Sequence, residues 1–139
     1  MKLTDILTKD PQVISPEAMI CEAALKMATF DIGMLPVCDG DRLVGAITDR
    51  DLVIRAVAKG YDPLKTKISE VMTPGICWCF EDQELEEVAQ LMEEKKIRRI
   101  AVLNRNKRLV GIASLGDFAL RSKDEHLTEK LLECVSQPA

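Results

Sequence analysis

The segment Gly45-Ala46-Ile47-Thr48-Asp49-Arg50-Asp51 returns later in the chain as Gly111-Ile112-Ala113-Ser114-Leu115-Gly116-Asp117. A shift of 65 positions also places Asp5-Ile6-Leu7-Thr8 on Glu70-Val71-Met72-Thr73, and one extra residue after Val102 makes the later shift 66. This repeat is longer than most solenoid units and has only two copies. It therefore predicts one small α/β unit that has been duplicated, so that each copy covers the other's core. If the units bind a ligand, two related sites are expected.

The length and charge of the chain narrow the class of protein. With 139 residues it can form one compact domain or two half-sized lobes that share a core. A unit of about 60 residues buries little apolar surface alone, which favours fused halves. The net charge of −4 argues against a nucleic-acid surface. Two basic clusters, residues 95–99 and 104–108, suit a small anionic ligand better than a duplex.

Membrane spans and metal sites are not indicated by the sequence. No apolar run approaches the roughly 18 residues that cross a bilayer, and residues 1–5 lack the hydrophobic core of a signal peptide. A cytoplasmic protein is therefore expected. The five cysteines lack the spacing of zinc ligands, and His126 is the only histidine, so no metal site is predicted. Reduced thiols are expected, with a redox switch at Cys38, Cys77 or Cys79 as an open alternative.

Periodicity and turn residues predict the same order of elements in both copies: strand, helix, strand, strand, helix. In the first copy, Ser15-Pro16 predicts the start of a helix whose apolar face ends near Phe30. The turn Asp39-Gly40-Asp41 predicts a hairpin, and residues 43–47 predict a buried returning strand. The expected fold class is an α/β (α+β) sandwich of two β-α-β-β-α units, packed pseudo-symmetrically, plus a C-terminal helix.

The predicted domain boundaries follow the repeat. Residues 1–61 form the first unit, 62–67 a linker, 68–122 the second unit and 123–139 a helical tail. The tail carries an apolar stripe, which implies a surface to dock against. The members of the stripe are Leu127, Leu131, Leu132 and Val135.

The motifs Thr48-x-x-Asp51 and Ser114-x-x-Asp117 each join a buried strand to a helix, three residues after a glycine. One interpretation is a capping box, in which the hydroxyl and the carboxylate satisfy free backbone N–H groups. Three features favour a ligand site: the motif occurs in both copies, the glycine permits close approach to the backbone, and a helix N-terminus attracts anions. From these residues alone both interpretations stay open.

The same junctions suit a nucleotide. A carboxylate at Asp51 or Asp117 fits the paired hydroxyls of a ribose, and the hydroxyl of Thr48 or Ser114 fits a phosphate. Apolar residues nearby are expected to sandwich a flat purine; these are Ile14, Pro36 and Val37 in one copy, and Cys79, Ala101 and Val102 in the other. Three arginines are expected to neutralise phosphate charge; these are Arg50, Arg98 and Arg99.

Taken in order, these motifs resemble a tandem pair of cystathionine-β-synthase (CBS) domains, also called a Bateman module. The resemblance covers about residues 1–122 and includes, besides the segments already quoted, Leu35-Pro36-Val37, Leu43-Val44, Val71-Met72-Thr73-Pro74, Arg98-Arg99-Ile100-Ala101-Val102 and Leu109-Val110. Residues 31–36 and 52–54 are similar to the stand-alone hypoxic-response type of the family. Each motif is weak alone, but the ordered set, given twice, is specific.

The resemblance implies up to two clefts between the CBS units for adenosine-bearing ligands. The implied ligands are AMP, ADP, ATP, NAD or S-adenosylmethionine, with Mg²⁺ only as a companion of nucleotide phosphates. It implies that Asp51 and Asp117 bind the ribose and that Thr48 and Ser114 lie near the phosphates. The base pocket is implied to include Pro36 and Ala101. A homodimer formed through helices and an unidentified protein target are also implied.

The two copies are not equivalent. Arg98-Arg99 has Gly33-Met34 at the matching place in the first copy, and Asp49-Arg50 has Leu115-Gly116 in the second. One site is therefore expected to prefer a phosphorylated ligand, while the other takes a less charged ligand or stays empty.

Catalytic constellations are not recognisable in the sequence. The carboxylates are isolated, His126 lies in a charged segment, and the glycines form no P-loop. An enzyme is therefore not expected, and the leading prediction is a non-catalytic sensor of adenosine-type ligands that acts on a partner in trans. The alternative from another class is a constitutive interaction module, in which the two motifs only cap helices.

Overall fold

The computed structural model describes residues 2–121 and 125–136, and its compact units do not follow the order of the repeat. One unit is formed by Pro11–Ile76 and the other by Met1–Asp10 together with Cys77–Ala139. The segment that opens each copy of the repeat thus belongs to the unit built mainly from the other copy. The boundaries 1–61 and 68–122 describe the repeat in the sequence, whereas the packing units divide the chain near residues 10 and 76.

Both units contain helices and strands. A 3-10 helix, Leu3–Asp5, precedes β1. The strands are β1 (Thr8–Lys9), β2 (Met34–Asp39), β3 (Arg42–Thr48), β4 (Thr73–Pro74), β5 (Trp78–Phe80), β6 (Arg99–Leu103) and β7 (Leu109–Ser114). The helices are α1 (Ile20–Phe30), α2 (Asp49–Asp51) continued by a π-helix (Leu52–Val57), α3 (Ile68–Val71), α4 (Leu85–Lys95), α5 (Leu115–Arg121) and α6 (Glu125–Ser136).

The unit 11–76 has a three-stranded sheet in the order β2-β3-β4. The predicted hairpin forms β2 and β3, which pair antiparallel with Pro36 opposite Ala46. The two-residue strand β4 adds to the other side of β3, where Thr73 lies opposite Ala46. Ile14 makes a single parallel bridge to Val37, so the predicted first strand is reduced to one bridge.

The unit formed by 1–10 and 77–139 repeats this topology with the order β1-β7-β6-β5. Its hairpin is β6 and β7, with Ala101 opposite Ile112. The two-residue strand β1 pairs antiparallel with β7 and places Thr8 opposite Ile112. The strand β5 pairs parallel with β6, with Trp78 opposite Ala101. The predicted mixture of helices and strands, in two similar units, is confirmed.

Each unit has its own apolar core between its sheet and its helices. The cores receive the apolar face of one long helix each, at the spacing i, i+3, i+7 that the sequence shows. In α1 the buried residues are Ile20, Ala23 and Met27, and in α4 they are Leu85, Val88, Ala89 and Met92. The tail helix α6 also docks: Leu131 is fully buried and Leu127 packs against the same core. Leu132 is half exposed, and the side chain of Val135 lies outside the described residues.

The predicted start of α1 at Ser15-Pro16 is wrong, because the helix begins at Ile20. The backbone of residues 16–20 is held instead by the segment that leads into α3. The amide of Ile20 donates to the carbonyl of Thr66 at 2.9 Å, and the amide of Ile68 donates to the carbonyl of Ala18 at 2.8 Å. These bonds replace the first helical turn that the capping residues favour locally. Among the helices that the structure describes, none has both the length and the apolar character needed to cross a membrane.

Candidate ligand-binding site at two strand-to-helix junctions

The first junction lies where β3 ends and α2 begins. The amide of Thr48 donates to Asp51 Oδ2 at 3.0 Å, and the amide of Asp51 donates to Thr48 Oγ1 at 3.1 Å. These reciprocal bonds are a capping box, so one oxygen of the carboxylate is committed to the backbone. The Asp51 side chain keeps 14% of its surface exposed, and its second oxygen, Oδ1, faces the guanidinium of Arg55 at 3.7 Å.

The second junction, between β7 and α5, has the same geometry. The amide of Ser114 donates to Asp117 Oδ2 at 2.9 Å, and the amide of Asp117 donates to Ser114 Oγ at 3.1 Å. The Ser114 hydroxyl also donates to Asp117 Oδ2 at 3.0 Å. The capping interpretation is therefore realised in both units. The capping boxes make no bond to the second oxygen, Oδ1, of either carboxylate.

Each junction carries an arginine that the sequence analysis missed, Arg55 and Arg121. Arg55 Nη1 donates to the carbonyls of Val71 and Met72, both at 3.2 Å. Arg121 Nη1 donates to the carbonyls of Ile6 and Leu7, at 3.3 and 3.2 Å. Each arginine thus ties the segment that enters the two-residue edge strand to the junction helix. The signal was present in the sequence, because Asp-x-x-x-Arg follows the hydroxyl residue in both copies.

The repeated glycines have a structural cause. A Cβ on Gly45 would lie 2.5 Å from the carbonyl oxygen of Thr73, and one on Gly111 would lie 2.6 Å from that of Thr8. Both distances are shorter than a side chain tolerates. The close approach that the glycines permit is that of the neighbouring edge strand, so the glycines do not by themselves favour the ligand interpretation.

The apolar residues predicted to hold a base fall into two groups: two lie on the sheet face of a junction hydroxyl, and four lie in the cores. Because side chains alternate along a strand, Pro36 shares a sheet face with Met34, which lies opposite Thr48. Ala101 likewise shares a face with Arg99, which lies opposite Ser114. The other four face the cores, where contact with a ligand through their side chains is blocked; these are Ile14, Val37, Cys79 and Val102.

The predicted basic residues are all exposed, but they lie at different places. Arg99 begins β6 directly opposite Ser114, whereas Met34 holds that place in the other unit. Arg98 precedes the strand, and its carbonyl accepts the amide of Leu115 at 2.8 Å. Arg50 lies in α2, between the two aspartates of the first junction. The structure therefore brings one arginine, Arg99, into register with a junction hydroxyl.

The cysteines and possible metal ligands do not form a second site. Burial raises the pKa of the Cys79 thiol to about 12, with a smaller contribution from Cys77. Burial, and then the charge of Asp41, also raises the pKa of Cys38. Thiols with raised pKa are poor nucleophiles, which disfavours a switch at these two positions. Across residues 2–121 and 125–136, no group of three or more His, Cys, Asp or Glu side chains is placed to hold a metal ion.

Proteins of known sequence are similar over nearly the whole chain. The Bacillus subtilis protein YlbB is 38% identical over 138 residues, which is 98% of this chain and 92% of that protein. Hypoxic response protein 1 of Mycobacterium tuberculosis is 34% identical over 135 residues, or 96% of this chain and 93% of that protein.

Solved structures of other proteins share the fold. Hypoxic Response Protein I with two coordinated zinc ions has a TM-score of 0.77 and 35% identity, covering 86% of this chain and 97% of that one. CBSX2 in complex with AMP has a TM-score of 0.73 and 26% identity, covering 85% and 93%. The CBS domain pair of MJ0100 in complex with 5′-methylthioadenosine and S-adenosylmethionine has a TM-score of 0.74 and 32% identity, covering 86% and 97%.

The sequence profile of the CBS domain matches the chain twice, at residues 3–57 and 68–124. Each match contains one of the two junctions described above. The resemblance drawn from the repeated motifs is thereby confirmed, and the chain belongs to the CBS domain family as a tandem pair.

Proposed function

We propose that this CBS pair is a non-catalytic sensor that binds adenosine-containing ligands at the junctions of Asp51 and Asp117. The ligand's ribose hydroxyls donate to the second oxygen, Oδ1, of these carboxylates, and the bound state alters how a partner protein is recognised in trans. The observation that carries the proposal is the duplicated junction, in which the capping box takes Oδ2 of each carboxylate and makes no bond to Oδ1.

The similar solved structures support this class of ligand. CBSX2 is described with AMP, and the CBS pair of MJ0100 with 5′-methylthioadenosine and S-adenosylmethionine. These compounds share an adenosine group and differ in the charge beyond the ribose. The group common to them matches a carboxylate that accepts from a diol, since an ionised acceptor makes the stronger kind of hydrogen bond.

The two sites differ in the charge that they offer. Arg99 lies opposite Ser114, so the Asp117 site suits a phosphorylated ligand such as AMP, ADP or ATP, with Mg²⁺ as a companion of the longer phosphate chains. Met34 lies opposite Thr48, so the Asp51 site suits a less charged ligand such as S-adenosylmethionine or 5′-methylthioadenosine. NAD, which carries two riboses, stays a further member of the test panel.

The test is a thermal-melt and calorimetry panel of adenosine compounds on the wild type, Asp51→Ala and Asp117→Ala. A ligand at a hundred times its Kd adds about 2.7 kcal/mol of stability. The matched controls are Glu22→Ala and Asp5→Ala, because these carboxylates cap other backbone amides, those of Met19 and Lys2. Ligand stabilisation should fall in the junction variants and persist in the controls. Equal ligand stabilisation in all four variants would rule the two carboxylates out as ligand groups.

A homodimer is part of the proposal, and exposed apolar residues on the helices of the unit 11–76 support it. Leu25, Val53 and Val57 are 68%, 55% and 71% exposed. A contact between subunits would remove these side chains from water. Light scattering after gel filtration should give a dimer for the wild type and a monomer for Val57→Glu. A monomeric wild type would remove this part of the proposal.

A constitutive interaction module is the second candidate, and the closed capping boxes favour it. In that case the carboxylates only stabilise the helix starts. Asp51→Ala would then lose about 1 kcal/mol of stability, as capping losses do, and no adenosine compound would change the melting of the wild type. The panel above therefore separates the two candidates.

A further inference from the structure

The two junction carboxylates differ in what their second oxygen accepts. Asp51 Oδ1 has no hydrogen bond within the described part of the chain; its partner is Arg55 Nε, an ion pair at 3.7 Å. In the other unit the hydroxyl of Thr8 lies 3.3 Å from Asp117 Oδ1 and 3.5 Å from Oδ2. The oxygen that a ribose would need is therefore open at Asp51 and already occupied at Asp117.

The difference does not come from the residue types, because Thr73 holds the place in the first unit that Thr8 holds in the second. Thr73 Oγ1 accepts from Arg55 Nη1 at 3.0 Å, and this bond keeps the hydroxyl oxygen on the guanidinium. Arg121 Nη1 makes the equivalent two carbonyl bonds, to Ile6 and Leu7, and lies 4.0 Å from Asp117 Oδ1, but within the described residues it makes no bond to the Thr8 hydroxyl. The hydroxyl of Thr8 is thus free to turn toward the carboxylate.

The hydroxyls of a ribose and of Thr8 are the same kind of hydrogen-bond donor, so they compete for acceptor positions on Asp117. A carboxylate has about four acceptor positions; Oδ2 takes the amide and the hydroxyl of Ser114 and Oδ1 takes the Thr8 hydroxyl, so one position is left. A diol that donates both of its hydroxyls to Asp117 must therefore displace the Thr8 hydroxyl, which lies on an exposed residue and can turn to water. Breaking one hydrogen bond of this kind, from the exposed Thr8 to Asp117, should weaken ligand binding at Asp117 by roughly three- to tenfold.

We infer that Thr8 gates the Asp117 site, so that the Asp51 site binds a ribose first and the Asp117 site fills only when the Thr8 hydroxyl leaves the carboxylate. Thr8 belongs to β1, the two-residue strand contributed by the segment that opens the chain. The inference rests on the proposed binding of adenosine compounds at the two junctions.

The experiment measures calorimetric binding of 5′-methylthioadenosine, an uncharged probe on which Arg99 has no phosphate to act, with AMP as the second probe. In an Asp51→Ala background only the Asp117 site remains, and adding Thr8→Val should tighten it three- to tenfold. Thr8→Ser keeps the hydroxyl and should leave the affinity unchanged. As the matched control, Thr73→Val in an Asp117→Ala background should change the affinity of the Asp51 site by less than twofold.

Two results would overturn the gate while leaving the proposed function intact. One is an unchanged or weaker affinity with Thr8→Val; the other is equal affinity at both sites of the wild type. Failure of both probes to bind the wild type would instead remove the proposed function, and the gate with it. Thermal melts of each variant without ligand establish that the protein is folded.

Discussion

Arg121 Nη1 donates to the carbonyl oxygen of Leu7 across 114 residues of sequence, at 3.2 Å. The equivalent bonds of Arg55 reach the residues that precede β4 in the other unit. Each of these arginines lies one helical turn beyond a junction carboxylate. Each one holds the segment that its unit receives from the other copy of the repeat. The junction and the edge strand form one connected structure in each unit.

Arg55→Met and Arg121→Met should each destabilise the protein by about 1–3 kcal/mol, because carbonyl oxygens beneath each guanidinium lose a charged donor. Urea unfolding measures the change. Arg50→Met is the control, since Arg50 is exposed, and its loss should fall within about 0.5 kcal/mol. A loss at Arg121 no larger than that at Arg50 would show that the tether contributes nothing to stability.

Gly45→Ala and Gly111→Ala should each cost about 1–3 kcal/mol, because the new Cβ would push the edge strand away from its neighbour. Gly116→Ala is the matched control: its Cβ would lie 3.5 Å from Ser114 Oγ, an ordinary contact, at a helical position where alanine is preferred. Thermal unfolding of the three variants checks the order. If Gly45→Ala melts like Gly116→Ala, the strand spacing is not the reason for the glycine.

Arg99→Met should weaken AMP binding at the Asp117 site several-fold and leave 5′-methylthioadenosine binding unchanged, because only AMP has a phosphate for Arg99, which lies opposite Ser114, to pair with. The loss of AMP affinity caused by Arg99→Met should be smaller at 1 M salt, because salt screens the charge of the exposed Arg99. Calorimetry of both compounds at two salt concentrations measures it. Equal weakening of both compounds would indicate a structural role for Arg99.

Stability should fall as the pH rises above about 9. Burial raises the pKa of Cys79 to about 12 from the ordinary value of 9.0, so the unfolded chain loses this proton first. The stability held by the protonated thiol is complete below pH 9 and is lost between pH 9 and 12, by roughly 1 kcal/mol at pH 10. Guanidine unfolding at pH 8 and pH 10 should show a smaller loss in Cys79→Ala than in the wild type. The same loss in both would contradict the assignment to Cys79.

The elements that follow a strong periodic pattern were predictable from the sequence. The apolar spacing of Ile20, Ala23 and Met27 marks α1, and the turn at Gly40 marks the hairpin of β2 and β3. The junction motifs were recognised because they occur twice. Their geometry as capping boxes was one of the two interpretations that the residues left open.

The remaining features depend on contacts between distant segments, which a local pattern does not contain. Thr8–Lys9 and Thr73–Pro74 are too short for a strand signal, so their pairing with the other copy's hairpin was missed. The start of α1 moved to Ile20 because Thr66 and Ile68 bond the preceding backbone. The core positions of Val37 and Val102 follow from strand register, which decides which face an apolar residue presents.

Ribose binding at the two junctions is measured most directly by a crystal structure of the protein with 5′-methylthioadenosine at saturating concentration. Ribose hydroxyl oxygens are expected within hydrogen-bonding distance of Asp51 Oδ1, with the capping bonds to Thr48 kept, and Asp117 is expected to be occupied only where Thr8 has turned away. Density for the compound elsewhere in the molecule, with both carboxylates bonded to their own backbone alone, would contradict it.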